Sequence, residues 1–510
     1  MKKLMYGTIV MLFISVGCSN DFVEIAPVGV LESDTFLNKE ENAEQALIGL
    51  YDLMQYNYAK DWSSAYFLKV LPGDEANAGG GSSTDQPQLQ DIDDYTNVSV
   101  SNASILSVWN LYYRTIALSN AIINKAEAGS LTNKQFVLAE AKFIRAYCYF
   151  ELTTMWGDVP LRLTNPTELN AKAFGLAKSP RAAIYVQVKK DLIDAIAGLP
   201  SRGAVKQNFR VSNATAQALL GKVLVFEGKY SEAIPYLAAV ISNPAYGLEA
   251  TPADVWSVKS EFGKESLFEL GYISTKGYDW GNVVWGGRME SNLHVQLMGP
   301  RGDGVFNLAG TGLINGWGFN LPTAKIVNAF QAAGDVNRKA ATVMTEAELV
   351  AKGGGRAGSP WDYQGAIRTK YATRTSDTNE AGIQELNYTT NWRLLRYSEV
   401  LLLAAEAYNK ATPNLDAQAR IELNKVRKRA GLADVSPTLS GTALFDAIAN
   451  EKFLELAFEG QRFWDLVRWG KASTELAGTG YTAKNNLFPI PVNEINLNDA
   501  LTNADQNPGY

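Results

Sequence analysis

The sequence predicts a mainly α-helical protein, a tetratricopeptide-like helical repeat scaffold with long loop insertions. Three features carry that expectation. Apolar residues recur at helical spacing through about 41–72, 104–128 and 139–154; in the last stretch Ala139, Phe143, Ala146 and Phe150 form one stripe of a helix. Leu220-Gly221, then Gly228-Lys229-Tyr230, Ala233 and Leu237, reproduce the spacing of a tetratricopeptide unit, in which small residues let two antiparallel helices approach. Two stretches, 247–320 and 353–392, break the helical pattern with glycine, proline and aromatic residues.

In chain order, Lys2 and Lys3 precede an apolar run from Leu4 to Val16 and then Gly17-Cys18-Ser19-Asn20. A positive start and a short apolar run describe an export signal over residues 1–17. Ile14-Ser15-Val16-Gly17-Cys18 resembles a bacterial lipoprotein cleavage site, with Ser15 where leucine is usual. It assigns lipid attachment to Cys18; an ordinary signal peptide containing a cysteine is the alternative. Residues 18–40, polar and holding Pro27 and Gly29, are expected to be a lipidated tether. Residues 41–510 are expected to form a single domain, with an N-terminal part of about 41–246 and a C-terminal part of about 247–510.

Within it, Gly73 to Ser104 carries Gly79-Gly80-Gly81-Ser82-Ser83 and Asp91-Ile92-Asp93-Asp94, and reads as a long loop and a candidate binding loop. The helix at 139–154 is paired with one near Tyr185 to Leu199. A second small-residue pair, Ala405 and Ala417, repeats the spacing of Gly221 and Ala233. One such unit cannot bury its own apolar face, so further copies are expected.

The 510 residues are 46% hydrophobic and carry 47 Lys+Arg against 53 Asp+Glu, a net charge of −6. That supports a large core and provides no basic footprint for nucleic acid. His294, the single histidine, excludes a multi-histidine metal site, and Cys148 is expected to be a buried thiol. Phosphate-loop, nucleophile-elbow and H-E-x-x-H motifs are absent, and neither a metal nor a cofactor is expected. Asp91, Asp93 and Asp94 read as a solvated acidic loop rather than a calcium site, and Arg301-Gly302-Asp303 as a turn.

Ala139-Glu140-Ala141-Lys142-Phe143-Ile144-Arg145-Ala146-Tyr147, running on to Trp156-Gly157-Asp158-Val159-Pro160-Leu161, resembles the SusD/RagB family of outer-membrane glycan-binding lipoproteins. The likeness continues through Arg396 to Leu402, Leu423 to Leu432 and Glu455 to Trp469, and closes with Leu487-Phe488-Pro489-Ile490-Pro491 and Gln506-Asn507-Pro508-Gly509-Tyr510. The resemblance implies a SusD-like fold, a lipid anchor on the outer face of the outer membrane, and a TonB-dependent SusC-like transporter as partner. It also implies glycan capture without catalysis. The motif blocks themselves look structural: Phe453, Ala457, Trp464 and Val467 are expected on one buried helical stripe.

Sugars present apolar C–H faces edged by hydroxyls, so a site needs aromatic planes with hydrogen-bonding neighbours. The candidates are Trp280 and Trp285 first, then Tyr278, Trp361 and Tyr363, with Arg288, Asp74, Asn77, Tyr95 and Asn97 as polar partners. Trp317, between Gly316 and Gly318, is assigned to packing. The other readings are an exported glycoside-active enzyme and a peptide-binding relative.

Overall fold

A computed structural model describes residues 39–166, 175–379 and 381–510. The export signal, Cys18 and nearly all of the tether lie outside those residues.

The scaffold is a succession of helices, each packed on the next: Glu40–Ala59, Ala103–Ala128, Lys134–Trp156, Arg181–Gly198, Asn213–Phe226 and Tyr230–Ile241, then Tyr397–Lys410, Asp416–Arg429 and Gly441–Glu455. Local chemistry sets several of the ends. Asn102 accepts from the backbone N–H groups of Ser104 and Ile105 and so caps Ala103–Ala128. Ser212 and Thr215 form a reciprocal capping box at the start of Asn213–Phe226. Lys134–Trp156 is buried on almost every side, which is why its apolar stripe is broad, and it ends at Gly157 with φ 78°.

The small-residue spacing has a direct geometric counterpart. A Cβ on Gly221 would lie 2.5 Å from Leu237, so only glycine permits the approach of Asn213–Phe226 to Tyr230–Ile241. Ala233, facing it, is fully buried. The second copy differs from the expectation: Ala405 is buried, but Ala417 is exposed and Ala419 is the buried small residue of Asp416–Arg429. A shift of two residues moves a side chain about 200° around a helix.

Two further expectations are corrected. The region 73–104 is no open loop: Ala76–Gly79 pairs antiparallel with Phe319–Pro322, and helix Pro87–Asp93 buries Leu89 and Ile92. The stripe through Phe453, Ala457, Trp464 and Val467 spans two helices, Gly441–Glu455 and Arg462–Arg468, separated by a turn in which Phe458 and Gly460 adopt positive φ. Phe453, Ala457 and Trp464 are buried all the same, and Val467 packs on the core.

The chain leaves the helical succession after Ile241 and rejoins it at Tyr397, and the segment between lies against the scaffold. Strand Ser266–Leu270 pairs antiparallel with Trp392–Arg396, which runs directly into Tyr397–Lys410. Charge locks this junction. Arg396, 2% exposed at its side chain, binds Glu265 at 2.8 Å, Glu455 at 2.6 Å and Glu459 at 2.6 Å. Arg338 and Lys370 add further ion pairs to Glu455 and Glu459, and Arg429 pairs with both Glu265 and Glu455. Burial would push the carboxyls of Glu455 and Glu459 up, but the surrounding cations overcome it and hold both below the ordinary range, Glu455 far below it. Several residues of the resemblance blocks thus meet in one buried ion-pair network.

Candidate functional site: a stack of four indoles

Four tryptophans from three separate segments come together with their ring planes within 26° of parallel. Trp317 has its centroid 5.4 Å from Trp62, 5.5 Å from Trp285 and 6.5 Å from Trp280. Trp280 and Trp285 lie 6.3 Å apart. The two outer rings are open to solvent, at 51% and 46% exposure, whereas Trp62 and Trp317 are half-buried beneath them. These are the separations of offset-stacked aromatic pairs.

Each ring is held by its own backbone. Trp62 follows Glu40–Ala59 in a turn where Asp61 Oδ1 accepts from the N–H of Ser63 at 2.7 Å, and His294 Nε2 bonds the Asp61 carbonyl at 2.7 Å. Trp317 sits in a loop clamped to the end of helix Leu293–Met298: its N–H donates to Gln296 O at 3.1 Å, and that of Gly318 to Gly299 O at 2.8 Å. A Cβ on Gly316 would lie 2.5 Å from both Gln296 O and Gly299 Cα, so glycine is required there for close approach.

Trp280 and Trp285 share a loop whose root is pinned at Tyr278. Its N–H donates to Asn387 Oδ1 at 2.8 Å, and its carbonyl accepts from Asn387 Nδ2 at 2.8 Å and from the N–H of Ile383 at 2.9 Å. Asp279 Oδ1 accepts from the N–H groups of Gly281 and Asn282, closing the turn that carries Trp280. Tyr56 Oη donates to Gly286 O at 2.6 Å and ties the far end of the loop to the scaffold.

The sequence candidates separate into two groups. Trp280 and Trp285 lie in the stack, and Arg288 stands nearby, ion-paired with Asp52 beside Tyr56. Tyr278 is buried and acts as the anchor just described. The others lie elsewhere in the chain, in segments 74–97 and 361–363. Asp74 is 6% exposed and accepts two 2.8 Å hydrogen bonds from Arg462, with Lys325 at 2.6 Å. Burial raises its carboxyl, but those bonds win and hold it below the usual range. Tyr95 is buried and donates to Pro72 O; Asn97 is exposed. Asn77 donates to Asp362 O at 2.9 Å, and Trp361, 38% exposed, donates to Gln90 at 3.0 Å. Tyr363 packs edge-on against Phe306 in a small satellite cluster, with Arg356 over its ring. No ring contact joins Trp361 or Tyr363 to the four indoles among the described residues.

Sequence reasoning missed Trp62 and set Trp317 aside as packing. The signal for Trp62 was the run Asp61-Trp62-Ser63-Ser64, turn and cap residues inside an otherwise helical pattern. Asp93 uses its carboxylate to accept from Ala78 N–H at 2.7 Å, and Arg301 pairs with Asp303 within the turn that contains both. Among the described residues no group of three or more His, Cys, Asp or Glu is placed to hold a metal, and no helix is long and apolar enough to cross a membrane.

A helical-repeat scaffold presenting a solvent-facing aromatic stack is the class of protein these features define. Comparison places the chain within it: the chain belongs to the SusD family, whose model matches residues 333–485, and a second model, described as starch-binding and associating with the outer membrane, matches residues 21–225. A solved laminarin-binding SusD-like protein is 30% identical, covers 92% of this chain and all of its own, and superposes with a TM-score of 0.81. SusD-like protein P2 of Formosa agariphila is 27% identical over the full length of both chains. The starch-binding protein SusD of Bacteroides thetaiotaomicron is 24% identical over 82% of each.

Proposed function

We propose that the protein is a non-catalytic glycan-binding lipoprotein of the outer membrane, anchored through Cys18 and facing outward. In this reading it captures oligosaccharide or polysaccharide and passes it to a TonB-dependent SusC-like transporter. The observation that carries the proposal is the indole stack, whose two outer faces are exposed and held from beneath by a fixed backbone. Aromatic planes match the C–H faces of pyranose rings, and the hydroxyl edges would find Asp61, Lys60 and the Arg288–Asp52 pair near Gly286. The relatives named for laminarin and starch support the same ligand class.

The test is retention in affinity gels cast with a panel of neutral polysaccharides, combined with assay of the supernatant for released sugar. Retardation without product is expected. Product release would sink the non-catalytic reading, and heat with peptides but with no glycan would sink the ligand class. Membrane fractionation of Cys18→Ala, expected to move to the soluble fraction, tests the anchor, and co-purification with the transporter tests the partner.

A further inference from the structure

Beside the loop that carries Trp280 and Trp285, and separate from the stack, lies a cavity of about 650 Å³ between the Glu40–Ala59 helix and strand Ser266–Leu270. This is the size of a small-ligand site. Its aromatic walls are Tyr51, Phe209, Phe262 and Tyr272, with Tyr51 and Phe209 edge to face at 5.2 Å. The backbone is shaped to it. Phe262 adopts φ 51°, a conformation that costs a non-glycine residue energy, and its ring lies where a Cβ on Gly271 would come within 2.9 Å. Gly271 is therefore the residue that lets Phe262 form the wall.

The charged lining is one-sided: beside the amides of Gln45, Gln55, Asn208 and Asn391 stand four carboxylates, Asp52, Glu261, Glu269 and Glu290, with no lysine, arginine or histidine among the lining residues. Three of the four already hold a donor. Asp52 is bound by Arg288, Glu261 accepts from the N–H of Asn391 at 2.7 Å, and Glu269 accepts from Asn391 Nδ2 at 2.8 Å and from the N–H of Phe262 at 3.1 Å. The cavity thus offers spare acceptor capacity for hydroxyl donors next to flat aromatic faces. An anion would face four carboxylates of its own sign, of which Asp52 is paired with Arg288 and Glu261 with Arg393 behind it.

We infer that this cavity is a second sugar site, distinct from the indole stack, that takes one end or a side branch of an uncharged oligosaccharide and rejects acidic glycans. The inference rests on the glycan reading for its ligand class. The loop 273–290 links the two sites: Ile273 and Glu290 line the cavity, the N–H of Ile273 donates to Glu290 O at 2.7 Å, and the indoles stand on the residues between.

The test uses the full chain with Trp280→Ala and Trp285→Ala, which removes the two exposed rings of the stack. Calorimetry is run with laminarihexaose, maltohexaose and cellohexaose, and with an oligogalacturonate as the acidic control. Residual binding of at least one neutral hexaose is expected, with none of the oligogalacturonate. Asn208→Trp or Gln45→Trp, each an exposed residue on the cavity lining, should weaken that residual binding about tenfold or more by filling the space. No residual binding, residual binding unchanged by both filling variants, or equal binding of the oligogalacturonate would overturn the inference. Failure of the stack is read separately: the double tryptophan variant would then retain polysaccharide as strongly as the parent.

Discussion

His294 Nε2 donates to the backbone carbonyl of Asp61, one residue before Trp62, across 2.7 Å. A carbonyl only accepts, so the ring carries its proton on Nε2, and Nδ1 is left buried without a partner. Protonating Nδ1 would bury a charge with no acceptor. Burial, with the nearby Arg368 charge, accordingly pushes the imidazole down to about 3, the Asp61 bond opposing only in part. The lone histidine is a positioning residue for the lowest ring of the stack.

A pH dependence follows from that depressed value. The unfolded chain takes up this proton near pH 6.5, the folded one only near 3, so the contribution to stability is complete above about 6.5 and is lost as pH falls toward 3. Between pH 6.5 and 5 the loss approaches about 2 kcal/mol. Urea unfolding at pH 7 and pH 5 should show a smaller difference for His294→Gln than for the parent by roughly that amount. An equal difference would mean that His294 does not stay neutral. His294→Ala, which removes the bond to Asp61, should weaken glycan retention although the residue lies beneath the platform.

Removing the exposed rings separates binding from stability. Trp280→Ala with Trp285→Ala should sharply reduce retardation in polysaccharide gels while shifting the melting temperature little, because both side chains are about half exposed. Trp317→Ala should lower both, since its ring is half-buried between Trp62 and the outer pair. A large loss of stability from the outer pair alone would assign those rings to packing.

Arg396→Met leaves Glu265, Glu455 and Glu459 short of their shared partner in a buried site. Stripping one member from such a network costs about 3–5 kcal/mol, and denaturant titration should find a loss of that order. Arg396→Lys, which keeps one cation among the three carboxylates, should cost less than Arg396→Met.

Gly221→Ala drives a methyl group to 2.5 Å from Leu237 and should destabilise by about 1–3 kcal/mol in thermal or urea unfolding. Leu237→Ala in the same chain should recover part of the penalty by vacating the space. Full additivity of the two losses would mean that the helices separate instead of clashing.

The scaffold was legible because helical periodicity and small-residue spacing are local, as at Ala139 to Phe150 and at Gly221 and Ala233. The platform was half legible. Trp280 and Trp285 stand in a loop with aromatic and glycine composition, whereas Trp62 is separated from them by more than two hundred residues, and only the folded chain unites the three segments. The polar, glycine-rich sequence around Asp74 and Tyr95 predicts that both face a ligand. What buries Asp74 is Arg462, 388 residues away, a pairing that no local pattern encodes.

Four indoles within 6.5 Å of a neighbour and close to parallel are also an optical device. Their transitions couple, so the near-ultraviolet circular dichroism of the folded chain should exceed the sum of isolated tryptophans, and a ligand laid on the outer faces must perturb it. Capture could therefore be followed by the protein's own absorbance, without label or immobilised polymer.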